Sequence, residues 1–335
     1  MGRPMAERRY FFDGAASPFL AFAGAVERNL ASAEEQLGVQ ITIRDCQAII
    51  SGDEEKCVTA EKFLEKLVSC VVLRNRKLDQ ADFTQVLQAF RQGEQDSLTE
   101  LFAARLHISG KSPEIVPRTR RQLQYLRSMA DHPVVFGVGP AGTGKTYLAM
   151  AMAVSEFLKG NVSRIILPRP AREAGEVLGF LPGTLEDKIS PYLRPLYDAL
   201  YALVGFEDGR QLIEHGAIEL APLAFMRGRT LNNAFIILDE AQNTSRDQML
   251  MLLTRMGFDS RCVVTGDPTQ NDLSKGEKSG LEHALRTLKH IPEIAICRFS
   301  AADVVRNPIL EKIINAYADG DADRFGPEEK GDRKW

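Results

Sequence analysis

Much that would commit this 335-residue chain to a special environment is scarce or missing. Charge of one sign is not in excess. A formal net charge of −3 excludes a uniformly basic nucleic-acid binder and leaves only local patches, such as Arg74, Arg76 and Lys77. Cysteine is limited to Cys46, Cys57, Cys70, Cys262 and Cys297, an odd number with no CxxC spacing. That pattern suits reduced core thiols and a cytoplasmic compartment rather than a disulfide framework. His107, His132, His215, His283 and His290 are scattered without ligand spacing, so no zinc or other structural metal is expected. No stretch reaches the ~18 apolar residues that a membrane helix needs. The first residues, MGRPMAERRYFF, carry charges where a signal peptide is apolar, and Gly2 is followed by Ala6 where a myristoylation motif has Ser or Thr. The reading is an ordinary globular protein, neither secreted nor membrane-bound.

What is present is organised around VVFGVGPAGTGKT, Val134 to Thr146. An apolar, β-rich run breaks into a loop matching GxxxxGK[ST], formed by Gly139, Pro140, Ala141, Gly142, Thr143, Gly144, Lys145 and Thr146. Glycines at this spacing let consecutive backbone N–H groups turn inward around a polyphosphate. The helical pattern from Leu148 to Leu158 adds its N-terminal dipole, and Gly160 is placed to stop it. Lys145 then supplies a point charge to the β- and γ-phosphates, and Thr146 a ligand for Mg2+. These residues point to a nucleoside triphosphate.

Upstream, Val26 to Leu37 has helical spacing, VQITIRDCQAIISG reads as two short strands around Asp45, and Glu54 to Val68 is again helical with Asp53 as N-cap. This α-β-β-α order is that of a KH-type RNA-binding domain, but the GXXG backbone clamp is missing. Docking or oligomerisation therefore competes with single-stranded RNA contact as its role. The expected organisation is a small α+β, KH-like domain over 1–76, a helical linker over 77–117, the ATPase domain over 118–318 and a polar, disordered tail over 319–335. The helical pattern of the linker runs from Leu78 to Leu106, and turn-forming SGKSPEIVP marks the boundary.

Past the loop, strands are predicted over Arg164–Leu167, Ala217–Leu220, Ala234–Leu238, Cys262–Thr265 and Ile294–Cys297, with helices between them. Such alternation means an α/β fold, a parallel sheet covered on both faces. The insertion from Pro170 to Gly205 reads as helices broken by Pro182, Pro191 and Pro195. AFIILDEAQ ends a buried strand in Asp239, a magnesium ligand, and Glu240, which orients or deprotonates the attacking water. TGDPTQ ends the next in a turn carrying Gln270, a candidate γ-phosphate sensor. Gln122, ahead of the phosphate loop, has the donor and acceptor that an adenine edge requires, although position alone favours an exposed glutamine. Arg306 follows the last strand on a short connection, from which a guanidinium can reach the phosphates of a neighbouring subunit. That arrangement calls for a closed ring, with a hexamer as the expected size.

With GPAGTGKT, LDEAQ and TGDPTQ in this order, and with RPAREAGEVLGFLPG, FMRGRTL and ADVVRNPILEKIINAYA around them, the chain resembles the PhoH family, ATPases related to the motor domains of superfamily 1 helicases. The likeness spans about Arg118 to Ala318. It implies a RecA-like P-loop ATPase that uses ATP and Mg2+, is cytoplasmic, assembles as a ring, and acts in RNA metabolism and ribosome maturation beside an endoribonuclease partner. The chain departs from the pattern at Arg120 and Arg121 before Gln122, at Pro168, and at Asn307 after Arg306. Three functions compete: an RNA-directed ATPase extending to RNA helicase action, a nucleotide-dependent assembly or switch protein without a nucleic-acid substrate, and a small-molecule kinase. The kinase is the weakest, because GDPTQ suggests hydrolysis coupled to motion rather than an acceptor-binding lid.

Overall fold

The computed structural model describes residues 6–12, 29–44, 47–74, 80–108, 114–170, 185–270 and 279–304. In the N-terminal part, β1 (Ala6–Phe11), α1 (29–37), β2 (Val39–Arg44), β3 (Gln47–Gly52) and α2 (Glu54–Arg74) form a small α+β unit. Its sheet is antiparallel in the order β1-β3-β2, with Ala6 and Val39 both opposite Gly52. The strand β1 was not expected. Its sequence AERRYF alternates half-buried and exposed residues, the pattern of an edge strand with charges on its open face, and so carries no strong apolar signal. The helix expected to end at Val68 continues to Arg74.

The helical stretch expected from Leu78 to Leu106 is divided into α3 (Gln80–Gln92) and α4 (Ser97–Ala103). Gly93, at φ 71°, makes the break. Both helices share a core with α2, where Phe63 meets Phe83 and Phe90 edge-on at 5.6 and 5.7 Å.

The larger part carries α5 (Arg120–Asp131), β4 (Val134–Val138), α6 (Lys145–Leu158), β5 (Arg164–Arg169), α7 (Leu185–Val204), α8 (Phe206–Glu214), β6 (Ile218–Pro222), β7 (Ala234–Leu238), α9 (Arg246–Leu253), β8 (Arg261–Gly266), α10 (Gly280–Thr287) and β9 (Ile294–Arg298). The six strands are parallel in the order β6-β5-β7-β8-β4-β9. All five strands predicted beyond the phosphate loop are present. Side chains alternate between two cores: Phe235 and Ile237 face α5, α6 and α7, whereas Ala234, Ile236 and Leu238 face α9 and α10. One strand, β8, stands between the phosphate-loop strand and the strand ending before Asp239, the RecA-like arrangement. Among the described residues, no helix is long and apolar enough to cross a membrane.

The expectation that Pro191 and Pro195 break the insertion is corrected, because α7 runs through both. Leu196, Leu200 and Leu203 recur at helical spacing and are 0–1% exposed against α6. Burying a leucine is worth roughly 1.5–3 kcal/mol, which over three residues offsets much of the roughly 3 kcal/mol that each interior proline costs. Pro182 lies outside the described residues.

Candidate functional site

The phosphate loop, Asp239 with Glu240, and Gln270 follow the carboxyl ends of the parallel strands β4, β7 and β8, where open α/β sheets bind ligands. The phosphate loop leaves β4 at Gly139, whose φ of 143° and neighbours both require glycine: a Cβ there would sit 2.4 Å from the Phe299 carbonyl oxygen. Gly142 and Gly144 also have positive φ, 80° and 81°. Gly144 is the N-cap of α6 and accepts from the Leu148 N–H at 2.9 Å. Thr143 is fully buried and donates from Oγ1 to the Pro140 carbonyl at 3.0 Å. The loop is thus shaped by its own bonds.

Lys145 is 8% exposed, and its Nζ donates to the carbonyls of Gly139 and Pro140, each at 2.7 Å, and to Thr143 Oγ1 at 3.3 Å. Burial pushes its ammonium down from the ordinary lysine range, against the opposing pull of Asp267, Asp239 and Glu240. Three carboxylates therefore favour the charged form of one buried cation.

Asp239, 7% exposed, accepts at Oδ1 from Thr146 Oγ1 at 2.8 Å and from Thr265 Oγ1 at 2.7 Å. The Thr146 hydroxyl and the Asp239 carboxylate are hard oxygen donors side by side, the donor set that magnesium takes from a protein when substrate phosphates and waters complete its shell. The residues fit that ion.

Glu240 turns out of the strand at φ 54° and ψ 39°, a left-handed conformation unusual for glutamate. Its carboxylate is held at both oxygens: Oε2 accepts from Gln242 Nε2 at 2.6 Å, and Oε1 lies 3.5 Å from Arg169 Nη2. Gln242, 1% exposed, accepts the Asp267 N–H at its own Oε1, at 3.0 Å. One amide thereby ties the acidic pair to the end of β8.

Gln270 is exposed, and its N–H donates to the Asp267 carbonyl at 3.0 Å, closing the expected turn with Pro268 in second position. Asp267 Oδ1 accepts from Thr269 N–H at 3.0 Å and Thr269 Oγ1 at 2.7 Å, which pins the turn.

Gln122 is not the exposed glutamine that its position suggested. It is 5% exposed, accepts the Arg118 N–H at Oε1 (2.6 Å) and donates from Nε2 to the Thr143 carbonyl (3.0 Å). Its own N–H is capped by Thr119 Oγ1. Each end of the amide keeps a second site, one lone pair on Oε1 and one N–H on Nε2, for an adenine edge. Arg306, with Asn307, lies outside the described residues.

Sequence reasoning did not assign Arg169, Gln242 or Thr265. Gln242 and Thr265 stand within LDEAQ and TGDPTQ, so spacing offered a signal for them. Arg169 follows Pro168 at the end of β5, and only the sheet order brings it to Glu240.

The model of the family described as PhoH-like protein matches residues 114–318. A PhoH-like protein of Bacillus subtilis is 43% identical over 298 residues, covering 89% of this chain and 93% of the relative. A PhoH-like protein of Mycobacterium leprae is 45% identical over 296 residues, covering 88% and 84%. The protein PhoH of Escherichia coli K12 is 38% identical over 240 residues, covering 69% and 68%.

Proposed function

The chain belongs to the PhoH-like protein family, and from that premise we propose that it binds ATP with magnesium and hydrolyses it, coupling the cycle to RNA metabolism. One observation carries the reading: Thr146 at the phosphate loop and Asp239 at the end of β7 meet at 2.8 Å. In this scheme the loop amides and the N-terminus of α6 hold the inner phosphates, and Lys145 gives up its carbonyl partners for phosphate oxygens. Thr146 and Asp239 would hold the magnesium, which when bound neutralises charge on the β- and γ-phosphates. Glu240 accepts the proton of the water that attacks the γ-phosphorus, as the bond to the ADP oxygen breaks and inorganic phosphate forms. Gln270 senses the γ-phosphate from the turn after β8. Arg306 of a neighbouring subunit completes the charge in a hexameric ring, and the setting is the cytoplasm, alongside an endoribonuclease.

Support for RNA coupling comes from the resemblance to helicase motor domains. The absence of a GXXG clamp in the N-terminal unit favours the second reading, a nucleotide-dependent assembly switch. ATP hydrolysis measured with and without single-stranded RNA separates the two. Stimulation by RNA in the parent, with hydrolysis lost and ATP binding kept in Glu240→Gln, supports the motor. Equal rates with and without RNA leave the switch, and parental rates in Glu240→Gln overturn the assignment of the base.

A further inference from the structure

We infer that Arg169 is a binding residue for the terminal phosphoryl group of the nucleotide, contributed by the same chain. The inference rests on the reading of the site as one for a nucleoside triphosphate.

Strand β5 runs beside β7 with Ile166 opposite Ile236, so three residues further on Arg169 stands level with Asp239 at the carboxyl edge of the sheet. Its side chain is only 15% exposed. A buried guanidinium stays charged and presents a planar fork of donors, so it needs acceptors placed to match. Here the match is incomplete. Arg169 Nη2 lies 3.5 Å from Glu240 Oε1, longer than the roughly 2.7–2.9 Å of a well-made bond between such groups. Its Nη1 is buried with no hydrogen-bond partner among the described residues. A buried donor left unpaired is costly, and more so when charged, so a loosely held arginine with a spare donor is poorly explained as a structural tie.

Glu240 shows what the arginine is for. Gln242 Nε2 donates to Oε2 at 2.6 Å and Arg169 Nη2 faces Oε1, so the guanidinium fork lies beside the carboxylate assigned to the attacking water, which keeps lone pairs for that water. A phosphoryl group carries three oxygens and more negative charge than one carboxylate, and it accepts both arms of a guanidinium fork. The glycine loop serves the inner phosphates and Lys145 reaches the β- and γ-phosphates, so the group that arrives beside Glu240, where the attacking water is used, is the outermost one. When it arrives, Arg169 turns its fork from Glu240 Oε1 to the phosphoryl oxygens. ADP lacks that group and leaves the pair closed.

The test is the binding of ATP and of ADP, each with magnesium, to the full chain carrying Glu240→Gln, so that hydrolysis does not intrude. With Arg169 intact, ATP binds more tightly than ADP. Adding Arg169→Gln is expected to lower ATP affinity by about tenfold or more while ADP affinity changes by less than about twofold. Arg169→Lys, which keeps the charge but loses the fork, is expected to fall between. Thermal melting without nucleotide reports the fold, and if Arg169→Gln does not fold, Arg169→Lys decides. Equal losses for ATP and ADP, or an unchanged ratio in the folded variants, overturn the inference and leave the nucleotide site standing. Failure of the Glu240→Gln protein with Arg169 intact to bind either nucleotide removes the site reading and the inference together.

Discussion

Thr146 Oγ1 donates to Asp239 Oδ1 at 2.8 Å, joining the phosphate loop to a strand end 93 positions later in the chain. The same carboxylate oxygen takes Thr265 Oγ1 at 2.7 Å. Two hydroxyls from two separate motifs thus fix one carboxylate rotamer, and the buried Thr265 does so from β8, the strand that stands between the other two.

Thr265→Val tests how much of the proposed magnesium site is preset by this bond. The substitution keeps the shape of a fully buried side chain and removes one donor to a nearly buried carboxylate. The expected cost is about 1–3 kcal/mol in stability, seen as a lower denaturation midpoint, because the lost bond is to a charged group. Magnesium-dependent nucleotide binding should weaken as well. An unchanged midpoint together with unchanged magnesium dependence would show that Thr146 alone orients Asp239.

Gln122→Ala separates two roles for the amide. Both of its ends are engaged within the protein, one holding the Thr143 carbonyl inside the phosphate loop and the other the Arg118 N–H. If the amide works by shaping the loop, ATP and GTP should lose affinity by a similar factor, about tenfold for the loss of one or two buried bonds. A loss confined to ATP would mean that the amide reads the base with its remaining donor and acceptor.

Alkaline pH gives a third prediction. Cys262, buried in β8, has its thiol pushed up to about 12 by desolvation, whereas the ordinary value is 9.0. The folded state therefore keeps its proton where the unfolded chain loses it. The associated stability is fully present below pH 9 and is lost as the pH rises through 12, by about 1 kcal/mol per pH unit inside that window. Burial moves the Cys297 and Cys57 thiols in the same direction. Chemical denaturation of the parent and of Cys262→Ala from pH 8 to 11 measures the effect, and the difference between them should shrink as the pH rises. A constant difference would mean that the thiol ionises in the folded protein as freely as in the unfolded one.

Elements with strong local signals were legible in the sequence. The five strands beyond the phosphate loop are apolar runs bounded by turn formers, and ahead of the helical QMLMLLTRM the sequence offers Ser245 or Thr244 as a cap. In the structure Ser245 takes that place and forms a capping box with Gln248 at the start of α9. Elements governed by context were not. The strand β1 puts Glu7 and Arg9 on its open face, α7 overrides two prolines through three buried leucines, and Gln122 lies inside rather than outside, held between the nearby Arg118 N–H and the Thr143 carbonyl of the phosphate loop.

By itself the sequence determined the phosphate loop, the acidic pair after β7 and the parallel α/β class, because glycine freedom, apolar periodicity and turn chemistry act over a few residues. The tertiary structure alone decided which side chains meet. The order β6-β5-β7-β8-β4-β9 sets Arg169 beside Glu240, Thr265 and Thr146 on Asp239, and Gln242 against Asp267. Those contacts depend on which strands are neighbours, and strand adjacency follows from burying both faces of the sheet at once, a condition that no short stretch of sequence contains.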